Sequence, residues 1–235
     1  LFRSHGLARR LLRLHWREAR LPQGFQILDA EDQLRLIKKL LKAANLDESG
    51  WAPKDVQYFI NKHKDEGRRP QQVKGSGDQT SMQMIKLYAD YELACERSGV
   101  IDFAELLLRA YELWQQQPEL LRHYRARFRH VLVDEFQDTN AIQYAWIRLL
   151  VGSTGAPFAV GDDDQSIYRW RGARVENLHR FRQDFPQAQL LRLEQNYRSS
   201  ASILAAANAL IANNSGRLGK TLWTHGARGE PVKLY

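Results

Sequence analysis

Apolar residues recur at intervals of three and four through the first half of the chain, and in short unbroken runs through the second; the change falls near residue 130. The first spacing lines one face of an α-helix, and the second is that of buried strands. Helices are predicted over 6–19 ("GLARRLLRLHWREA"), over 29–46 with Asp29 as N-cap, over 53–64 opening on Pro53, over 79–99, and over 102–117. The last is opened by an Asp102/Glu105 capping-box pattern and carries an apolar row of Phe103, Leu106, Leu107, Ala110, Leu113 and Trp114. Between them 66–80, "EGRRPQQVKGSGDQT", is rich in Gly, Pro and polar residues and predicts a long exposed loop.

From residue 130 the pattern alternates: a strand over 130–135 ("HVLVDE"), a helix over 140–151, a strand over 157–162 ("PFAVGD"), a helix over 174–184, a strand over 188–196 ("AQLLRLEQN") and a helix over 200–214. Such alternation predicts a parallel sheet with crossover helices. Two or three strands alone leave an edge and a face uncovered, so further strands are expected before Leu1. The closing "EPVKLY" (230–235) reads as another strand starting, and the first residue is Leu rather than Met, so a piece of a longer protein is expected. No internal repeat or low-complexity segment is present.

Composition adds scale and charge. A chain of 235 residues, 43% apolar, can bury one large core or two modest ones. Lys and Arg outnumber Asp and Glu 35 to 27, giving +8, which favours a polyanionic partner such as nucleic acid. The basic row Arg9, Arg10, Arg13, Arg17 and Arg20 is read equally well as a contact to duplex phosphates or as a solvated face. The one cysteine, Cys95, shares a helical row with Met84, Leu87, Tyr88 and Tyr91; it has no disulfide partner and is expected in a core, in the cytosol. No apolar run of membrane-spanning length and no charged-then-apolar leader occurs in this sequence, so no membrane association is expected.

The chemistry sits at the ends of the predicted strands. In "VLVDEFQDT" (131–139) a buried strand ends in Asp134 and Glu135, which matches the Walker B arrangement: one carboxylate for Mg²⁺, the next to orient and deprotonate water. Its plain alternative is a solvated acidic loop. In "AVGDDDQSIYRWRGA" (159–173) a second strand ends in three acids, then Gln165, a neutral amide that can sense a γ-phosphate without adding repulsion. Tyr168 and Trp170, set among Arg169, Arg171 and Arg174, offer stacking faces for unpaired bases and cations for a phosphate backbone; rings so surrounded suit a core poorly. In "LEQNYRSS" (193–200) Arg198 follows a third strand, either as a surface arginine at a helix start or as an arginine finger from a neighbouring domain.

The stretches "LVDEFQDTN", "VGDDDQSIYRWRGA" and "LEQNYRS" together resemble motifs II, III and IV of the UvrD/Rep/PcrA group of superfamily 1 DNA helicases, in order and at suitable spacing. "FQILDAEDQLRLIKKLLK", "DFAELLLRA" and "IQYAWIRLL" extend the resemblance over nearly the whole chain. The resemblance implies an α/β fold: part of a P-loop NTPase (RecA-like) parallel sheet with a large all-helical insertion domain. Residues 1–128 would be the insertion, 129–193 the carboxyl-terminal part of a first RecA-like domain, and 194–235 the start of a second. It further implies Asp134 on Mg²⁺ with Glu135 beside it as catalytic base, Gln165 and Arg198 at the γ-phosphate of ATP, and Tyr197 stacked on adenine. Tyr168, Trp170 and Arg171 would contact single-stranded DNA, with His5 from an amino-terminal DNA-contacting segment. Two departures stand out: Arg169 replaces a usual glycine, and only His5 and Gly6 of "LFRSHG" match that amino-terminal segment.

An ATPase of this design needs G-x-x-x-x-G-K-[ST]. The one GK[ST] here, Gly219-Lys220-Thr221, has Asn214 where the first glycine belongs and follows a predicted helix, so it is read as a polar loop and this chain as lacking a P-loop. The expected intact protein is an ATP-dependent DNA helicase acting on single-stranded DNA and single/double-strand junctions, in DNA repair and with repair proteins as possible partners; the chain alone is expected to be inactive. The alternatives are a non-catalytic module binding single-stranded DNA or a partner, and a helicase–nuclease of the same superfamily.

Overall fold

The computed structural model describes residues 4–231 and 233. Nine α-helices and four short strands are found among them: α1 (Ser4–Leu14), β1 (Gln26–Ile27), α2 (Ala30–Ala43), α3 (Pro53–Asp65), α4 (Gln79–Ser98), β2 (Val100–Ile101), α5 (Phe103–Gln116), α6 (Pro118–Arg127), β3 (His130–Val133), α7 (Ala141–Val151), β4 (Ala156–Ala159), α8 (Glu176–Asp184) and α9 (Ala201–Ile211). The chain is thus mixed α/β, with the predicted order largely kept.

Local chemistry sets the helix ends. The Asp29 carboxylate accepts from the N–H groups of Glu31 and Asp32, α3 opens on Pro53, and the Asn140 and Gln143 side chains cap α7 reciprocally. Helix α4 stops at Gly99, whose φ of 63° falls in the left-handed region that glycine enters without a Cβ clash. Asp102 caps α5 as predicted, but the Glu105 side chain does not return to the cap; it turns to Lys64, Arg69 and Arg109.

Two apolar cores form. One joins α1, α5 and α6 to β3 and α7, centred on Leu11, Leu107, Trp114, Val133 and Trp146, with the two indoles stacked at 4.9 Å. The other is built by α2, α3 and α4 from Ile37, Leu41, Val56, Ile60, Leu87, Tyr88, Tyr91 and Cys95. The thiol of Cys95 is buried there as expected, and burial pushes it up to about 11.

Several predicted elements are corrected. The first half is not purely helical, because β1 and β2 pair in parallel at Gln26↔Val100 and Ile27↔Ile101. Helix α1 ends at Leu14, so Arg17 and Arg20 of the basic row lie in turns, Arg20 with φ 55°. The loop after α3 is not wholly exposed: Pro70 is buried and Arg69 reaches Glu92, Glu105 and Glu112. Residues 188–196 form no strand. Leu190, Leu191 and Leu193 are exposed, and pairing is limited to an isolated bridge between Gln195 and Trp223; an apolar run becomes a strand only where a neighbour supplies hydrogen bonds. The strand expected within 230–235 falls partly on Val232, Leu234 and Tyr235, which lie outside the described residues.

Strands β3 and β4 pair in parallel from His130↔Ala156 to Val133↔Ala159. Val131 and Val133 point into the core, while Leu132 and Phe158, opposite one another in the register, are exposed. One face of this two-stranded sheet is therefore bare, as the count of strands in the sequence led us to expect.

Candidate functional site

The two acidic stretches leave the carboxyl ends of adjacent parallel strands, the edge at which open α/β sheets bind ligands. Backbone bonds from Phe136 N–H to Val160 (2.9 Å) and from Val160 N–H to Val133 (2.8 Å) carry the pairing past β3 and β4 and hold the two loops together. Gly161 fits closely at this crossing: a Cβ there would lie 2.8 Å from Oε1 of Gln137 and 3.2 Å from the Phe136 nitrogen.

Asp134 and Glu135 are both exposed at this edge. Glu135 sits in the left-handed region, φ 49° and ψ 46°, a conformation that a non-glycine side chain rarely adopts and that clusters at functional sites. Oδ1 of Asp134 accepts from the Glu135 N–H at 3.0 Å, and Oε2 of Glu135 accepts from Nε2 of Gln137 at 2.8 Å. Oδ2 of Asp134 and Oε1 of Glu135 have no protein partner among the described residues. Oδ1 of Asp138 nearby is buried without one, and burial together with the charge of Glu135 raises its carboxyl. Uncommitted hard oxygens of this kind suit Mg²⁺, which takes one or two carboxylates and completes its shell with water and phosphate.

Buried Gln137 is the link between the loops. Its Oε1 accepts from the Asp162 N–H at 3.0 Å, and Oδ2 of Asp162 in turn accepts from Nε2 of Gln165 at 2.7 Å. Glu135, Gln137, Asp162 and Gln165 therefore form one connected row.

The acid run 162–164 is met by a segment that sequence reading had set aside as a polar loop. Arg217 forms a two-pronged pair with Asp164 at 2.9 and 2.6 Å, the Leu218 N–H donates to Asp163 at 2.6 Å, and Lys220 pairs with Asp162. Burial would raise the Asp162 carboxyl, but hydrogen bonds from Lys220 and Gln165 and the charge of Lys220 outweigh it and hold it below its ordinary value. The three carboxylates lie close enough to share a cation, yet each already has a partner: Lys220 on Asp162, the Leu218 N–H on Asp163 and Arg217 on Asp164. The signal was present in the sequence: two cations spaced by three residues, downstream of three consecutive acids.

Tyr197 and Arg198 stand in an exposed turn. The Tyr197 hydroxyl donates to Gln195 at 2.7 Å, and the Arg198 N–H to Oδ1 of Asn196 at 2.9 Å. Neither side chain bonds to Asp134, Glu135 or Gln165 among the described residues.

Tyr168 and Trp170 are exposed with ring centroids 6.4 Å apart, so they are not core residues. Tyr168 and His5 line one cavity of about 640 Å³ together with Phe103, whose ring lies edge-on to the His5 ring at 6.3 Å. Burial lowers the His5 pKa and favours the neutral imidazole. The side chain of Arg171 lies outside the described residues.

The family model of the UvrD/REP helicase N-terminal domain matches residues 2–186. DNA helicase II of Escherichia coli is 63% identical over 231 residues, covering 98% of this chain and 32% of that protein. DNA helicase II of Haemophilus influenzae is 57% identical, with the same coverage. ATP-dependent DNA helicase PcrA of Bacillus subtilis is 38% identical over 232 residues, covering 98% of this chain and 31% of that relative. The chain thus spans about a third of the length of these relatives.

Proposed function

We propose, from the premise that this chain belongs to the UvrD/REP helicase N-terminal domain family, that the intact protein couples ATP hydrolysis to movement along single-stranded DNA and to strand separation. DNA repair is the setting in which we place it, with single/double-strand junctions as substrates and repair proteins as partners. The observation that carries the reading is the hydrogen-bonded row from Glu135 through Gln137 and Asp162 to Gln165, which joins two strand-end motifs and supports assigning both to one reacting centre.

In this reading residues 129–193 belong to a first RecA-like domain of P-loop type and 194–235 open a second. Residues 1–128 supply the inserted helical region, of which α2, α3 and α4 hold a core of their own. The bare face of Leu132 and Phe158 is where we place further layers of that domain.

Asp134, and with it Glu135, would hold Mg²⁺, whose chemistry there is to neutralise charge on the β- and γ-phosphate oxygens. Glu135 orients the attacking water and takes its proton as the oxygen bonds to the γ-phosphorus and the bond to the ADP oxygen breaks. Gln165, turned to Asp162 in this structure, meets the γ-phosphate as a neutral donor. Tyr197, 85% exposed, stacks on adenine, and Arg198 brings positive charge to the transferring phosphoryl. Tyr168, Trp170 and Arg171, with His5 beside Tyr168, hold the DNA strand.

We propose a cytoplasmic protein; among the described residues no helix is long and apolar enough to cross a membrane. This chain contains no glycine loop to cradle phosphates, and we propose that it does not turn over ATP alone. The test is displacement of a labelled strand from a duplex with a single-stranded tail. The intact protein should release the strand only with ATP; release without ATP, or none at all, contradicts the reading.

A further inference from the structure

The triplet Gly219-Lys220-Thr221, out of place as a phosphate loop, presents its cation to the protein instead. Gly219 takes φ 74°, in the left-handed region that glycine enters freely, and so turns the chain between Arg217 and Lys220. The Arg217 guanidinium closes this turn by donating to the Lys220 carbonyl at 3.1 Å, and both basic side chains reach the acid run 162–164.

Asp162 is where this contact meets the nucleotide machinery. Its Oδ1 takes the Lys220 ammonium, its Oδ2 takes Nε2 of Gln165 at 2.7 Å, and its N–H donates to Gln137, the neighbour of Glu135. Arg217 covers Asp164 from the same turn. The four side chains of these two ion pairs are between 11% and 23% exposed, and pairs so covered are screened little by salt. Without the two cations, three consecutive carboxylates would stand beside Gln165 and repel a phosphate in proportion to its charge.

The other end of the segment is bonded to the turn of Tyr197 and Arg198. The Thr221 N–H donates to Oε1 of Glu194 at 3.1 Å and the Trp223 N–H to the Glu194 carbonyl at 3.0 Å, while the Asn196 N–H donates to the Trp223 carbonyl at 2.7 Å. Oδ1 of Asn196 accepts from the N–H groups of Arg198 and Ser199. One short segment, 217–223, therefore reaches from the acids beside Gln165 to the residues that shape the Tyr197–Arg198 turn.

We propose that Arg217 and Lys220 are positioning residues for the nucleotide: paired with Asp164 and Asp162, they cancel the repulsion of this acid run for a γ-phosphate at Gln165 and join that site to the turn of Tyr197 and Arg198. The inference rests on the proposed placing of Gln165 at the γ-phosphate, and adds two residues that act there without touching nucleotide. Affinity for a triphosphate then depends on this contact. A diphosphate, which does not extend to Gln165, is nearly indifferent to it.

The test is binding of fluorescent ADP and of a fluorescent, non-hydrolysable ATP analogue to the intact protein with Mg²⁺. Arg217→Gln with Lys220→Gln should weaken the ATP analogue about 10-fold and ADP by no more than about twofold. Arg217→Lys with Lys220→Arg, which keeps both charges, should bind both nucleotides as wild type. Should the double glutamine variant fail to fold, Lys220→Gln alone, which keeps the Arg217–Asp164 pair, should show the same selectivity with a smaller loss. Equal losses for ADP and the ATP analogue would mean that the cations merely brace the turn, and would overturn the inference. Loss of ATP-analogue affinity in Gln165→Ala, with none in the Arg217 and Lys220 variants, also overturns it but leaves the proposed function standing. No loss in Gln165→Ala either overturns the placing of Gln165 and the inference with it.

Discussion

Nε2 of Gln137 donates to Oε2 of Glu135 at 2.8 Å, from a side chain that is itself 1% exposed and fixed at its other end by the Asp162 N–H. The base proposed to take a proton from water is therefore aimed by a neighbour that touches no substrate. Replacing Gln137 by Leu keeps the bulk, frees Glu135 to rotate and leaves the Asp162 N–H unpaired. Steady-state kinetics of the intact protein should show kcat for ATP lowered by about 10- to 100-fold with KM nearly unchanged. Thermal unfolding should show a loss of about 1–3 kcal/mol. A raised KM with kcat intact would mean that Gln137 serves nucleotide binding instead.

Asp65 predicts a pH dependence. Burial, with the charge of Asp102, raises its carboxyl to about 7, against a bond from Nδ2 of Asn140 at 2.9 Å that lowers it. The folded chain then binds a proton that the unfolded chain releases near pH 4, so this group costs stability as pH rises from about 4 to about 7. Asp65→Asn keeps the acceptor for Asn140 and removes the titration. Denaturant unfolding should find the variant equal to wild type near pH 4 and more stable near pH 8 by up to about 4 kcal/mol. A constant difference across that range would contradict the assignment.

Lys64 is 1% exposed, with Nζ at 2.8 Å from Asp102 and 3.0 Å from Glu105. Burial opposes its charge, but the two carboxylates outweigh burial and raise its pKa. Lys64→Met leaves buried Asp102 without its cation, with only the Tyr91 hydroxyl (2.9 Å) and the cap of α5 on it, while Glu105 keeps Arg69 and Arg109; it should cost about 3–5 kcal/mol in denaturant unfolding. Adding Asp102→Asn, which can still cap α5, should cost less than the two single losses together. Simple additivity would show that the pair is not coupled.

Much of this was legible in the sequence because it is local. The caps at Asp29, Pro53 and Asp102 and the apolar rows of α3, α4 and α5 depend on residues within a turn or two, and each element formed where its pattern stood. The strand-end placement of Asp134 and Glu135 was legible for the same reason. Leu190, Leu191 and Leu193 misled because a strand needs a hydrogen-bonding neighbour, which no local pattern reports. Helix α6 was not predicted: Pro118 cannot continue α5, yet it suits the first turn of a new helix. The meeting of Arg217 and Lys220 with Asp164 and Asp162 spans more than fifty residues of chain.

DNA-stimulated ATP hydrolysis by the intact protein bears most directly on the proposed catalysis. Turnover should rise when oligothymidylate is added, and Glu135→Gln, which keeps shape and hydrogen bonding but cannot take the proton, should lower kcat by at least about 100-fold. Turnover undiminished in Glu135→Gln would contradict the assignment of Glu135 as the base, and turnover absent from the intact wild-type protein would leave a module that binds nucleic acid without hydrolysing ATP.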